Sequence, residues 1–217
     1  MNEAAARLRV TEIFHSLQGE GLAVGERTAF VRLTGCPLRC RYCDSAYAFS
    51  GGTRLSIPAI LEQVAAYQVH HVCVTGGEPL AQPACRALLT ALCDAGHLVS
   101  LETAGALDLT GVDPRVVKVM DLKTPGSGEV HRNRYENLAL LTPQDQIKIV
   151  LCDEADYRWA VAQVHARGLD RYGTVLFSAA AGELAPAQLA DWILRDRLPV
   201  RLQVQLHKLL WGDAPGR

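Results

Sequence analysis

Apolar and polar positions alternate along the chain with two different periods. Short apolar runs rich in β-branched residues, at 28–34, 71–75, 98–102, 116–122, 146–151, 174–177 and 201–206, read as strands. Between most of them the apolar spacing widens to the 3,4 repeat of an amphipathic helix. One helix opens at Ser56 as its cap, holds Pro58 in the first turn, and sets Ile57, Ile60, Leu61, Val64 and Ala65 on a single face. A second runs from about Pro83 to Gly96. A third, over 153–167, presents Tyr157, Ala160, Val161 and Val164 and stops at Gly168, a left-handed C-cap. A fourth begins near Pro186 and carries Leu189, Trp192 and Ile193. Strands and helices in alternation predict an α/β domain built on a parallel sheet, and 217 residues without a linker, repeat or low-complexity tract predict one domain over 1–217.

Charge narrows the partner. The 22 Lys and Arg against 23 Asp and Glu leave a formal net charge of -1, so the basic surface a nucleic-acid binder needs is not expected. A small-molecule partner is expected instead. No apolar run is long enough for a membrane span, and the first ten residues carry Glu3, Arg7 and Arg9 where an export signal needs an apolar stretch. A cytoplasmic protein is therefore expected. Its seven cysteines, an odd number, point to reduced thiols or metal ligation rather than disulfides.

Three of those cysteines stand in Gly35-Cys36-Pro37-Leu38-Arg39-Cys40-Arg41-Tyr42-Cys43, spaced C-x3-C-x2-C. Three soft, anionic thiolates in one short loop can hold three irons of a 4Fe-4S cluster, which leaves one iron open. Structural zinc takes four ligands, usually in two close pairs, and no second pair exists here. Cys73, Cys85, Cys93 and Cys152 lie singly on strand or helix patterns, and core packing accounts for each.

The polar motifs follow the strands at their carboxyl ends, where parallel sheets place their chemistry. The cysteine loop follows the first predicted strand, Thr75-Gly76-Gly77-Glu78-Pro79 the second and Glu102-Thr103-Ala104-Gly105 the third. Asp121-Leu122-Lys123 follows the fourth, and Phe177-Ser178 closes the sixth. Glycine in such turns lets backbone approach a ligand closely. Arg32, between Val31 and Leu33, is a charge in an apolar strand; a buried arginine is costly unless it meets a partner or a ligand.

The C-x3-C-x2-C loop with Tyr42 before its last cysteine, together with Gly76-Gly77-Glu78-Pro79, resembles the radical S-adenosylmethionine (SAM) superfamily. That resemblance implies a partial (βα) barrel with parallel strands, a 4Fe-4S cluster on Cys36, Cys40 and Cys43, and SAM bound at the open iron. Within the superfamily, Phe14-His15-Ser16-Leu17-Gln18-Gly19-Glu20-Gly21, Cys43-Asp44-Ser45 and Gln205-Leu206-His207-Lys208 are similar to the 7-carboxy-7-deazaguanine synthase family. Members of that family convert 6-carboxy-5,6,7,8-tetrahydropterin to 7-carboxy-7-deazaguanine with loss of ammonia, on the route to queuosine and related 7-deazapurines.

The family resemblance implies a site residue by residue. Leu17, Gln18, Gly19, Glu20, Arg32, Thr75, His207 and Pro215 would contact the pterin, with Arg32 on its carboxylate. Tyr42, Gly77, Glu78, Asp121, Leu122, Lys123, Phe177, Ser178, Ala179 and Ala180 would hold SAM. Ser45 would ligate magnesium, a hard ion that takes few protein oxygens and keeps waters. An external electron donor and a homodimer are further implications. Ser45 stands where the family often has threonine, and Asp121-Leu122-Lys123 where it commonly has Ser-Pro-Lys. Two alternatives stay open at this point: a radical SAM activase of a glycyl-radical enzyme, and a zinc-stabilised module without catalysis.

Overall fold

In the computed structural model, which describes residues 6–212, 214 and 216, nine strands form one sheet in the order β3-β1-β2-β4-β5-β6-β7-β8-β9. The strands are β1 Arg7–Leu17, β2 Arg27–Leu33, β3 Thr53–Ser56, β4 His71–Gly76, β5 Leu98–Thr103, β6 Val117–Asp121, β7 Gln146–Leu151, β8 Thr174–Ala179 and β9 Arg201–Gln203. From β2 to β9 every pairing is parallel; β1 pairs antiparallel with both β2 and β3. The sheet is open, with β3 and β9 at its edges, which fits the expected partial barrel.

All seven predicted strands are present. β1 and β3 were not predicted: β3 is four residues long, and β1 carries a register shift between Val10 and Glu12 that breaks its alternation. The four predicted helices are α1 Ile57–Ala65, α2 Cys85–Asp94, α3 Glu154–Arg167 and α4 Pro186–Asp196. Ser56 caps α1 by accepting from the Ala59 N–H at 3.3 Å, and Gly168 ends α3 at φ 58°, as the sequence implied. A fifth, α5 Leu206–Trp211, replaces the end of the last predicted strand, so His207 sits on a helix rather than on β9.

The period of two positions the site. Val31 and Leu33 of β2, Val72 and Val74 of β4, Val99 and Leu101 of β5, Ile147 and Ile149 of β7, and Val175 and Phe177 of β8 join one apolar core with Ile60 and Val64 of α1, Leu88 and Leu92 of α2, Val164 of α3 and Leu189 of α4. Intervening residues face the other way, into a cavity of about 430 Å³. Strand register turns them into rows: Phe30 beside Cys73, Arg32 beside Thr75, Asp121 beside Lys148, and Val150 beside Ser178.

Candidate active site

The cysteine loop leaves β2 at the carboxyl edge of the sheet and lies on the Gly76-Gly77 turn after β4. Gly77 N–H donates to the Leu33 carbonyl at 3.1 Å and Glu78 N–H to the Gly35 carbonyl at 2.8 Å. A Cβ on Gly77 would run into the Gly35 carbonyl and the Cys36 side chain, and one on Gly76, at φ 148°, into the Leu33 backbone. The paired glycines are thus a seat for the loop. Cys36, Cys40 and Cys43 are half-buried, free, and on the wall of the same cavity. Burial raises the thiols of Cys36 and Cys40, while Lys123 pulls both back toward the thiolate.

These donors fit an iron-sulfur cluster. They are three soft ligands on one short loop, and among the described residues no three His, Cys, Asp or Glu converge as the ligands of one ion would. A cubane takes each thiolate on a separate iron. The other four cysteines are buried, as core packing predicts, although Cys73 also reaches the cavity wall, where burial pushes its thiol up to about 12.

Glu78 departs from expectation. It is fully buried, its carboxylate accepts the Leu80 N–H at 3.0 Å and the Ala104 N–H at 2.7 Å, and it lies behind the cavity wall rather than on it. Leu122 and Phe177 are likewise turned into the core, Phe177 edge-on to Tyr157 with ring centres 6.2 Å apart. Their neighbours Asp121, Lys123, Ser178, Ala179 and Ala180 line the cavity. Lys123 pairs with Asp121 at 2.9 Å and stands 6.0 Å from the centre of the Tyr42 ring. Among the described residues Asp121 Oδ1 is buried without a hydrogen-bond partner, a polar atom available to a ligand, and the Tyr42 hydroxyl is buried beside Thr124.

On the other side of the cavity, Leu17 ends β1, and Gln18, Gly19 and Glu20 follow it and meet α5. The Leu206 N–H donates to the Gly19 carbonyl at 3.0 Å, and a Cβ on Gly19 would run into the His207 ring. His207 and Thr75 line the same space; Pro215 lies outside the described residues. Arg32 Nε donates to Glu12 at 2.7 Å, and its guanidinium lies over the rings of Phe14 and Tyr47, 5.8 and 5.7 Å from their centres. Tyr47 in turn donates to Glu12 at 2.9 Å. Arg32 is therefore an ion-pair partner and a cavity residue at once. Ser45 lines the mouth and donates to Asp44 Oδ1 at 2.8 Å, two hard oxygen groups side by side, a donor set that suits magnesium.

Residues 30–122 match the Radical SAM superfamily. A 7-carboxy-7-deazaguanine synthase from Chlorobaculum tepidum is 47% identical over 215 residues, covering 97% of this chain and 98% of its own. One from Koribacter versatilis is 41% identical over 221 residues, covering 94% and 97%. The chain belongs to the 7-carboxy-7-deazaguanine synthase family. The crystal structure of QueE from Escherichia coli has the same fold, with a TM-score of 0.76 at 20% identity over 94% of this chain and 96% of that one.

Four residues that gather around Glu20 carried no assigned role in the sequence: Lys148 and Gln203, and Glu102 and Gln205, which stand in motifs noted above. Lys148 on β7 bridges Glu20 at 2.8 Å and Glu102 at 3.3 Å, and Gln203 and Gln205 donate to Glu20 at 3.1 and 2.8 Å. Burial alone would raise Glu20, but Lys148 and Gln205 hold its carboxyl down at about 2. Glu102 goes the other way, raised by burial and by Glu20 beside it. A single charge inside the apolar run 146–151 marked Lys148, just as it marked Arg32.

Proposed function

We propose that this chain catalyses the family reaction, converting 6-carboxy-5,6,7,8-tetrahydropterin to 7-carboxy-7-deazaguanine with release of ammonia. The observation that carries the reading is a single cavity shared by the three loop thiols, the Gly76-Gly77 turn and the 17–20 segment. When bound, the cluster and SAM supply reductive cleavage of SAM and removal of a substrate hydrogen, with magnesium as a Lewis acid. Cys36, Cys40 and Cys43 hold the cluster. Tyr42, Asp121, Lys123 and 178–180 shape the side of the cavity nearest the cysteine loop for SAM. Gln18 and Glu20 accept from the N–H edge of the pterin, and the Arg32 guanidinium, held at its Nε by Glu12, meets the carboxylate. Ser45 anchors magnesium there.

An external donor supplies the electron, and the enzyme works in the cytoplasm. Two copies pair as a homodimer through the apolar end of the sheet, where Leu202, Val204, Leu209 and Leu210 are exposed around edge strand β9; sedimentation of the pure protein tests the pairing. No helix among the described residues is long and apolar enough to cross a membrane.

Anaerobic incubation with SAM, reductant, magnesium and the carboxy-tetrahydropterin tests the reaction, with 7-carboxy-7-deazaguanine and ammonia as the expected products. Arg32→Ala should weaken pterin binding by about 2 kcal/mol and leave SAM affinity in place. Loss of both affinities together would mean that Arg32 serves only its ion pair with Glu12.

A further inference from the structure

Lys148 is the only charged residue of β7, and its ammonium ties three parts of the chain together: Glu20 after β1, Glu102 at the end of β5, and its own strand. The two contacts are unequal. Glu20 Oε2 lies 2.8 Å from the ammonium and also accepts from Gln203, while its Oε1 accepts from Gln205, so both oxygens are fixed. Glu102 lies at 3.3 Å, and among the described contacts Lys148 is its one hydrogen-bond donor. All three side chains line the cavity, at 13 to 18% exposure.

We infer that Lys148 is a positioning residue: its ammonium, shared unequally between two carboxylates, holds Glu20 as a fixed acceptor for the N–H edge of the pterin, while Glu102 anchors the ammonium. The inference rests on the substrate proposed above. An ionised carboxylate only accepts hydrogen bonds, whereas a protonated one presents an O–H toward the donors it should receive. Two carboxylates drawn together out of water cannot both stay ionised without a cation between them. The other titratable groups facing the trio are His207 from α5, which favours the Glu20 carboxylate, Cys73 from β4, which faces Glu102, and the Asp121–Lys123 pair after β6, whose ammonium opposes that of Lys148. None of them makes a hydrogen bond to Glu20 among the described contacts. Removing Lys148 leaves burial as the dominant influence on Glu20, and burial raises its pKa.

The test is equilibrium binding of 6-carboxy-5,6,7,8-tetrahydropterin by anaerobic calorimetry, from pH 8 to pH 6, to protein carrying cluster and SAM but no reductant. In Lys148→Met the ratio of its Kd to the parent Kd should grow on the order of tenfold between pH 8 and pH 6, since a carboxyl whose pKa rises through that window loses its charged form by that factor per unit. Lys148→Arg should keep the ratio flat, because the cation is restored. Glu102→Gln should also keep it flat, since Glu20 retains the ammonium. SAM affinity serves as a control that a general distortion of the site would move. If Lys148→Met fails to fold, the double variant Lys148→Met/Glu102→Gln leaves one unpaired carboxylate instead of two and must show the same acid-side loss. A flat ratio in whichever of these two variants folds, or acid-side loss in Glu102→Gln, overturns the inference. A parent protein that does not bind the pterin at all overturns the proposed substrate instead.

Discussion

The Thr103 hydroxyl donates to both carboxylate oxygens of Glu78, at 3.0 and 2.9 Å. With the Leu80 and Ala104 N–H groups on the same carboxylate, this contact staples the turn after β4 to the end of β5. The Gly-Gly-Glu run therefore divides its work. Its glycines meet the cysteine loop and the cavity, and its glutamate braces the wall from behind.

Glu78→Gln should consequently act on shape. The amide NH2 must face either the Leu80 or the Ala104 N–H, which leaves one buried donor unpaired at a cost of about 1–3 kcal/mol. The expected result is a lower melting temperature and weaker SAM binding with iron content retained, read by thermal scan, calorimetry and iron assay. Full SAM affinity in this variant would show that the wall holds without the staple.

Thiol replacement should divide the seven cysteines into two groups. Alanine at Cys36, Cys40 or Cys43 should abolish the visible absorbance of the anaerobic protein and its turnover, while alanine at Cys85, Cys93 or Cys152, buried in the core, should keep the iron. Cys73→Ala should keep the iron too, although its thiol reaches the cavity. A Cys40→Ala protein with a full complement of iron would refute the cluster assignment.

Gly19 offers a test at the opposite side of the cavity. Gly19→Ala places a methyl group in the His207 ring, so the ring must turn or α5 must shift. Pterin binding should fall by roughly tenfold or more, about 1.4 kcal/mol, with cluster and SAM binding intact. His207→Ala alone serves as the reference: Gly19→Ala added to it should cost less than Gly19→Ala in the parent, and an equal cost in both backgrounds would place the fault elsewhere.

Ser45 should govern the response to magnesium. Ser45→Ala should keep cluster and SAM but lose the stimulation of turnover by magnesium, Ser45→Thr should retain it, and Ser45→Cys should favour softer ions. Turnover of EDTA-treated enzyme against magnesium concentration measures all three. An alanine variant that responds like the parent would leave Ser45 only its hydrogen bond to Asp44.

The parallel strands were legible because Val31 and Leu33, Val72 and Val74, and Ile147 and Ile149 each recur within one strand at the period of two that a sheet requires. The same parity could have placed Phe177 correctly: Ser178 faces the cavity opposite Val150, so the residue before it must face the helices. The motif's linear position obscured this, as it did for Leu122 between Asp121 and Lys123. Lys148 was as visible as Arg32, a lone charge in an apolar strand, but no neighbouring motif drew attention to it. The last predicted strand runs to Leu206, next to His207, because Leu202, Val204 and Leu206 alternate. β9 has only β8 to pair with and ends at Gln203, which frees the following residues for α5.

Glu20 and Gln205, joined at 2.8 Å, are 185 positions apart in the chain. On a translating ribosome the cysteine loop, the Gly-Gly turn and strands β2 to β7 all emerge before the segment that closes the pterin side of the cavity. At the roughly 5–20 residues per second of protein synthesis, Glu20 waits on the order of 10 to 40 s for Gln203, Gln205 and α5. Lys148 follows Glu20 by 128 positions, so it joins only in the last third of that interval, and the residues of the cysteine loop and the Gly-Gly turn are all synthesised before any of the four partners that fix or crowd Glu20 from β7, β9 and α5.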